Sequence, residues 1–276
     1  MTREHVVPAF IYEFQKSHSN KFTGWNDAAQ AMTPGELKVK DVCDTCNNVV
    51  LGSLDNYAKQ LLTASGIMAK NYTKKSVTID YDYDLLLRWL LKVSFNSSRT
   101  TGFFSALFEP YRDYILNGTS RPPSSSVAVV ADLAAPILLN EQEALERFGH
   151  LATGTQRYNP FHMRISNVTI TSGSLYTARL VMIGPLIFFL LFFPGGTTKG
   201  HSRAEIRKFI KINKGGSEVT SDRTFMDISA GEKTWLEHYQ TQVHRVKALE
   251  KKLGKDGMLC TNDRFDMAAP AFEHRA

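Results

Sequence analysis

The chain has 276 residues, of which 43% are hydrophobic and 22% charged, a composition typical of a globular protein with one large or two smaller domains. Its net charge of +6 and isoelectric point near 9.1 suit a polyanionic partner. Three cysteines, two of them in a Cys-x-x-Cys, argue against a secreted disulfide framework and favour a reducing, cytoplasmic compartment.

The first sixty residues are predicted to form a strand, a polar loop, a second strand and a helix. Residues 4–11 are rich in Val, Phe and Ile and predict an extended segment, whereas the polar residues 17–30 predict a loop. Residues 37–42 alternate in the period-2 pattern of a half-exposed strand. From Asn47 onward, apolar residues recur at spacings of three and four, which predicts a helix with one apolar face: Val50, Leu54, Tyr57, Leu61 and Leu62.

The rest of the chain is predicted to mix core helices and strands. Residues 82–99 are apolar nearly all round and predict a core helix. Strands are predicted at residues 127–133, 163–170 and 180–193, and the proline-containing residues 120–126 predict a linker. The apolar run that contains residues 181–194 is too short and interrupted to cross a bilayer, so it favours a strand buried on both faces, and no membrane association is expected.

Two helices are expected in the last eighty residues. A basic stretch, residues 199–214, would place Arg203, Arg207 and Lys211 on one face if it is helical, with Ser202 and Glu205 near its cap. That face suits contacts with phosphates, although a solvated helix face is an equal alternative. A final helix is predicted to begin with a capping box of Ser229 and Glu232, followed by an apolar stripe as far as residue 253.

The residues with the most chemical information lie near the N-terminus. Glu4 and His5 are adjacent on an extended segment, so their side chains point to opposite faces of the strand. A neutral imidazole is a suitable base for water near pH 7, and a carboxylate can hold a hard divalent cation. Asn47, at the start of the predicted helix, can present an amide oxygen to the same ion. Together these groups suit phosphodiester hydrolysis.

This arrangement resembles the HNH endonuclease superfamily. The matching segments are Glu4-His5-Val6-Val7-Pro8, then Cys43-Asp44-Thr45-Cys46-Asn47-Asn48, then Leu51-Gly52-Ser53-Leu54-Asp55. The resemblance implies a ββα-metal nuclease module in residues 1–65, an α+β protein overall, and a larger C-terminal mixed domain in residues 66–276. It also implies cleavage of nucleic acid, with double-stranded DNA the expected partner.

The resemblance further implies a role for each matching residue. His5 would be the general base, and Glu4 and Asn47 would bind one Mg²⁺ or Mn²⁺, with Asn47 counted also as catalytic. Cys43 and Cys46 would form half of a structural zinc site. Asn48 and Asp55 match the pattern without an assigned role. Arg203, Arg207 and Lys211 are the expected substrate-binding residues.

The sequence departs from the family pattern at two places. A second Cys-x-x-Cys, usual just upstream of the acid-His pair, is absent because only three residues precede Glu4. A decayed zinc knuckle, a true start further upstream, and closure by Cys260 with a histidine all remain open. The middle asparagine of the motif also has no clear equivalent between residues 36 and 42, although Asn20 or Asn26 could serve.

Two other functions therefore remain open. One is a degenerate HNH-like module that binds nucleic acid without cutting it. The other is a structural or sensor protein in which Cys43 and Cys46 bind zinc or respond to redox state. A further ambiguity concerns Arg88 and Lys92 in the predicted core helix, which either line a groove or, as the sequence favours, extend over the core into water.

Overall fold

A computed structural model describes residues 2–18, 23–26, 31–34, 36–101, 105–138, 157–161, 163–168, 175–234 and 237–238. Over these residues the fold is mixed α+β, with five α-helices and a seven-stranded sheet. The helices are α1 (Ala9–His18), α2 (Gly52–Ala64), α3 (Tyr83–Thr101), α4 (Arg112–Asn117) and α5 (Lys199–Asn213). The strands are β1 (Thr2–His5), β2 (Thr23–Asn26), β3 (Ala31–Pro34), β4 (Lys38–Val42), β5 (Asn71–Tyr72), β6 (Ser76–Asp80), β7 (Val127–Ala135), β8 (Ile137–Leu138), β9 (Arg157–Pro160), β10 (Met163–Val168), β11 (Thr177–Ile183), β12 (Leu186–Phe192), β13 (Ser217–Val219) and β14 (Phe225–Thr234).

The large sheet separates two hydrophobic clusters. Its strand order is β10-β11-β12-β7-β14-β6, with β13 also paired to β7. Alternate side chains of each strand point to opposite faces. Val129 and Phe188 therefore join α2 and α3 in one cluster, whereas Val130 and Phe189 join α5 in the other. Helices α2 and α3 thus lie on one face of the sheet, and α5 lies on the other.

The N-terminal region pairs β1 with β4 and continues into α2. The antiparallel register places His5 opposite Lys38 and Glu4 opposite Val39. A π-helical turn over Cys46–Leu51 leads directly into α2, whose buried face includes Leu54 and Leu61. The predicted strand at residues 37–42 and the predicted amphipathic helix are therefore confirmed.

Two features of this region differ from the sequence prediction. Residues 4–11 are not extended throughout, because α1 begins at Ala9, immediately after Pro8. Proline is favoured at helix starts, and Phe10 and Ile11 turn into the core, so the apolar content reflects a helix face rather than a strand. The polar residues predicted as a loop also contain β2, which pairs with β3.

The prediction of a single strand at residues 180–193 is wrong. The run is a hairpin of β11 and β12 that reverses at Gly184 and Pro185. Gly184 has a φ of +55°, and a side chain there would meet the ring of Phe161. Because both strands are buried on both faces, the apolar pattern continues through the turn and conceals it.

The N-terminal cap predicted for the final helix also differs from the structure. Ser229 lies in β14 opposite Ser76, so it does not cap a helix. The capping box is instead formed by Thr234 and Glu237, where the Thr234 amide donates to Glu237 Oε2 at 2.8 Å and the Glu237 amide donates to Thr234 Oγ1 at 3.3 Å. The apolar stripe predicted from Tyr239 onward lies outside the described residues.

Helix α5 (Lys199–Asn213) confirms the helix predicted for the basic stretch, but its N-cap lies before the predicted one. Thr198 is its N-cap and accepts a hydrogen bond from the His201 amide at 3.3 Å. Ser202 is fully buried and donates to the Lys199 carbonyl. The cap predicted for Ser202 and Glu205 is therefore wrong.

Side chains from both sides of residue 65 share one hydrophobic cluster, which contains Phe10 and Leu54 as well as Trp89 and Phe188. The division into two domains at that residue stays a prediction. The helix predicted at residues 82–99 is confirmed as α3, and residues 120–126 form the loop between α4 and β7. Among the described residues, no helix combines the length and apolar character needed to cross a membrane.

The buried carboxyl group of Asp132 on β7 should make the stability of the fold depend on pH. Its carboxylate accepts hydrogen bonds from the Leu133 amide and from Asn213 Nδ2, and His238 Nε2 lies 3.8 Å away. Burial raises the pKa of Asp132 to about 6. A folded-state pKa above the unfolded value stabilises the fold at low pH, and this contribution is lost as the pH rises from about 4 to about 6.

We therefore expect Asp132→Asn to gain stability relative to the wild type across that pH range. The expected gain is about 3 kcal/mol, from a pKa difference of about two units at 1.36 kcal/mol each. Urea unfolding of both proteins at several pH values measures it. A constant offset from altered hydrogen bonds does not affect this slope, and a pH-independent difference between the proteins would contradict the prediction.

Candidate functional site

His5 is paired with a carboxylate that the sequence analysis did not identify. Its Nε2 atom lies 2.8 Å from Oε2 of Glu36, just before β4. Both side chains are partly exposed, and the ring of Tyr12 on α1 lies 6.0 Å from the imidazole, centroid to centroid. A carboxylate in this position orients an imidazole and stabilises the imidazolium that forms when it accepts a proton.

Glu36 is itself held ionised by two lysines. Lys16 Nζ lies 2.8 Å from Oε1, and Lys38 Nζ lies 3.0 Å from Oε2. The hydrogen bond from Lys16, with those from His5 and Lys38, lowers the pKa of Glu36 to about 2. Glu36 therefore contacts the imidazole of His5, a position for which the sequence offered no clear asparagine. The register that sets His5 opposite Lys38 is the signal that could have identified it.

If His5 is the general base that the HNH resemblance implies, Glu36→Gln should lower the rate of DNA cleavage about 10- to 100-fold, since the imidazolium loses its charged partner while the side-chain shape is kept. The effect should fall on kcat rather than KM, because Glu36 acts through His5. Steady-state kinetics on a short duplex measure both constants. Glu232→Gln, an exposed carboxylate paired with Lys214, is the matched control. Equal losses in both variants would contradict the role given to Glu36.

Glu4 lies on the opposite face of β1, in a buried ion cluster. Lys92 Nζ of α3 is 2.6 Å from Glu4 Oε1 and 2.6 Å from Asp55 Oδ1. Lys92 is 1% exposed and Glu4 5% exposed, so neither charge is solvated. The preferred interpretation of Lys92 as a side chain that extends into water is therefore wrong. At this burial an ammonium group needs carboxylate partners, and α3 packs directly on β1 and α2.

Two further residues of α3 complete this cluster. Trp89 Nε1 donates to Asp55 Oδ1 at 3.0 Å, and Asn96 Nδ2 contacts Glu4 Oε1 at 3.4 Å and donates to the His5 carbonyl at 3.1 Å. Through Lys92, Asp55 in the last segment of the motif is therefore linked to Glu4 in the first segment. The cluster has two carboxylates and one ammonium, a net charge of about −1 when all three are ionised.

The asparagines of the motif make local contacts. Asn47 Nδ2 donates to Thr2 Oγ1 at 3.0 Å and to the Arg3 carbonyl at 3.2 Å, which ties the π-helical turn to β1. Asn48 Nδ2 donates to Asp44 Oδ1 at 2.8 Å within the same turn. Asn47 therefore lies beside the strand that carries Glu4 and His5, and Oδ1 is the atom that it could offer to a cation.

Cys43 and Cys46 form a compact pair at the surface. The Cys46 amide donates to Cys43 Sγ at 3.1 Å, and both thiols are free. The hydrogen bond between the two side chains lowers the pKa of the Cys43 thiol and raises the pKa of the Cys46 thiol. Two sulfur atoms presented from one turn suit half of a zinc site, which needs two more ligands. Cys260, the third cysteine, lies outside the described residues.

Arg203, Arg207 and Lys211 are exposed along α5, on the far face of the large sheet from α3 and the ion cluster. The structure therefore does not bring them together with His5 and Glu4. Their predicted role in substrate binding stays a prediction. Arg88, the other cation of α3, donates to the carbonyls of Ile115 and Leu116 at the end of α4.

The fit of a divalent cation rests on oxygen atoms. Within the described ranges, no group of three or more His, Cys, Asp and Glu side chains could hold a metal. The described contacts of Glu4 are made through Oε1, which leaves Oε2 and Asn47 Oδ1 as hard donors. Mg²⁺ commonly uses one or two protein oxygens with water, and the net negative charge of the cluster attracts it. The donor set therefore fits such an ion in chemical type.

The site thus combines an imidazole–carboxylate pair, a buried carboxylate cluster and a thiol pair around the junction of β1, β4 and α2. Comparison with known proteins finds no matching family model, no significantly similar curated protein and no significantly similar solved structure.

Proposed function

We propose that this protein is a metal-dependent endonuclease of the HNH type that hydrolyses phosphodiester bonds in DNA. The observation that supports this most is the His5–Glu36 pair. His5 lies at the end of β1, and the partner strand β4 leads through the π-helical turn into α2, the helix of the motif. The pair supplies an oriented base, which water attack requires.

In this proposal His5 accepts the proton of the attacking water. Glu36 holds the imidazole and compensates the positive charge that develops on it, while Lys16 and Lys38 keep Glu36 ionised. About one fifth of each of these two side chains is exposed, which gives water a route to the imidazole.

Glu4 and Asn47 would hold the cation. When bound, a divalent ion neutralises the phosphate and stabilises the leaving 3′ oxygen. Lys92 fixes Glu4 in position, while Asn96 links Glu4 to the His5 carbonyl. These contacts couple the geometry of the base to that of the cation ligand.

A second candidate is a module that binds nucleic acid without cleaving it. One observation favours it: the Lys92 ammonium lies between Glu4 and Asp55, where a cation would otherwise be attracted. If Lys92 permanently replaces the metal, binding persists and hydrolysis does not.

Plasmid cleavage tests the proposal. We expect supercoiled plasmid to be nicked or linearised with Mg²⁺ or Mn²⁺ and to remain intact with chelator. His201→Ala, a substitution of an exposed histidine on α5, should keep full activity. Salt-sensitive DNA binding without cleavage in either metal would refute the nuclease proposal and support the binding module.

A further inference from the structure

A cavity lies directly behind the Cys-x-x-Cys turn. Its volume is about 190 Å³, and it is bordered by the end of β4, the π-helical turn, the C-terminal half of α3 and α4, with one side open to solvent. Lys92 and Asn96, which contact Glu4, also line it. The cavity is therefore continuous with the residues that organise the candidate site.

The lining of this cavity is cationic. Lys92, Arg99 and Arg112 line it, and none of the described lining residues is acidic. The charge of Lys92 is matched by Glu4 and Asp55. Arg112 pairs with Glu109 at 3.1 Å, but both side chains are more than half exposed, so that pair is weak and exchanges readily with another anion.

Arg99 is held in a defined orientation at the cavity. Its guanidinium lies 4.8 Å from the centroid of the Phe95 ring and donates to Asn96 Oδ1. Asn96 in turn donates to the His5 carbonyl. One hydrogen-bonded residue therefore separates Arg99 from the backbone of the residue that we propose as the base.

Apart from the three cations, Asn96 and the two cysteines, the described residues that line the cavity are apolar. They include Phe95, Leu51, Ile115 and Leu116. Because the cavity opens to solvent on one side, a phosphate group with part of its sugar can enter it from a longer strand.

We propose that Arg99 and Arg112 bind a backbone phosphodiester of the nucleic-acid strand, with the adjoining sugar against Phe95. The guanidinium groups match the geometry of phosphate oxygens, and the aromatic wall distinguishes a nucleotide unit from a simple inorganic anion. This inference rests on the proposed function and deepens it, because it names the surface that positions the strand beside His5.

The test measures DNA binding without cleavage. A fluorescently labelled duplex is titrated with the full chain in chelator, by anisotropy at several salt concentrations. We expect Arg112→Gln and Arg99→Gln each to weaken binding about tenfold and to lower the salt dependence by about one counterion. Inorganic phosphate should compete only weakly, since it lacks the sugar.

Matched controls separate this surface from others. Arg223→Gln removes the same charge from an exposed turn beside Thr224, whose carbonyl accepts from Tyr81 at the opposite end of α3. This variant should bind DNA nearly as the wild type does. Arg203→Gln tests the basic face of α5 as the alternative surface for phosphate. Arg112 is exposed, so its variant folds even if Arg99→Gln disturbs Asn96.

The outcomes are distinguishable. Wild-type affinity and salt dependence in Arg112→Gln would overturn the inference, as would a wild-type protein that does not bind DNA. A loss confined to Arg203→Gln would move the phosphate contact to α5 and also overturn it. Binding that depends on Arg112, without cleavage in Mg²⁺ or Mn²⁺, would support the inference and refute the nuclease proposal alone.

Discussion

His5→Ala is expected to lower metal-dependent cleavage of plasmid DNA by about 100-fold or more, the usual contribution of a general base. The His5 side chain is partly exposed, and its described polar partner is Glu36. Its removal should therefore leave the fold intact and affect the chemical step. Initial cleavage rates and thermal unfolding of wild type and variant measure the two effects separately.

His201→Ala is the control, because His201 is exposed on α5 and lies across the sheet from the site. Added imidazole should restore part of the activity to His5→Ala and none to Glu36→Gln, whose base is still present. Undiminished cleavage by His5→Ala, in protein shown to be folded, would remove His5 from the mechanism.

Lys92→Met is expected to destabilise the fold by about 3–5 kcal/mol, which is the usual loss when one member of a buried ion pair is removed. Methionine has similar volume but no charge, so Glu4 and Asp55 would face each other without a cation. Urea unfolding at pH 7 measures the loss. Lys208→Met, an exposed position on α5, should change stability by less than about 0.5 kcal/mol.

A second substitution identifies the cause of that loss. Adding Glu4→Gln to Lys92→Met should restore part of the stability, because one of the two buried carboxylates that lost their cation is then removed. A double variant as unstable as Lys92→Met alone would indicate a packing defect instead. A loss below about 1 kcal/mol at pH 7 would show that the buried pair is not the stabilising contact that its burial implies.

The patterns that the sequence predicted correctly are local ones. Helix α2 follows from apolar residues at spacings of three and four, α3 from a run that is apolar nearly all round, and β4 from alternation with a period of two. The order of the motif residues also placed Asn47 and the cysteines beside β1, as the contact from Asn47 to the Arg3 carbonyl shows.

A local sequence pattern was insufficient where two different secondary structures would produce the same pattern. Apolar residues after Pro8 suit a strand or a helix face, and only packing against the core selects α1. The turn at Gly184 is hidden because strands buried on both faces have no polar alternation to interrupt. Ser229 and Glu232 match a capping box, but pairing of Ser229 with Ser76 places them in a strand.

By itself, the sequence determined the α+β class and the main helices, and it singled out the motif residues around Glu4, His5 and Asn47. The tertiary structure alone decided which of these residues meet: Glu36 with His5, and Lys92 with Glu4 and Asp55. The physical reason is that periodicity reports burial along one element, whereas an ion pair between residues 4 and 92 depends on how separate elements pack. Lys92 contacts Glu4 and Asp55 because α3 packs against β1 and α2.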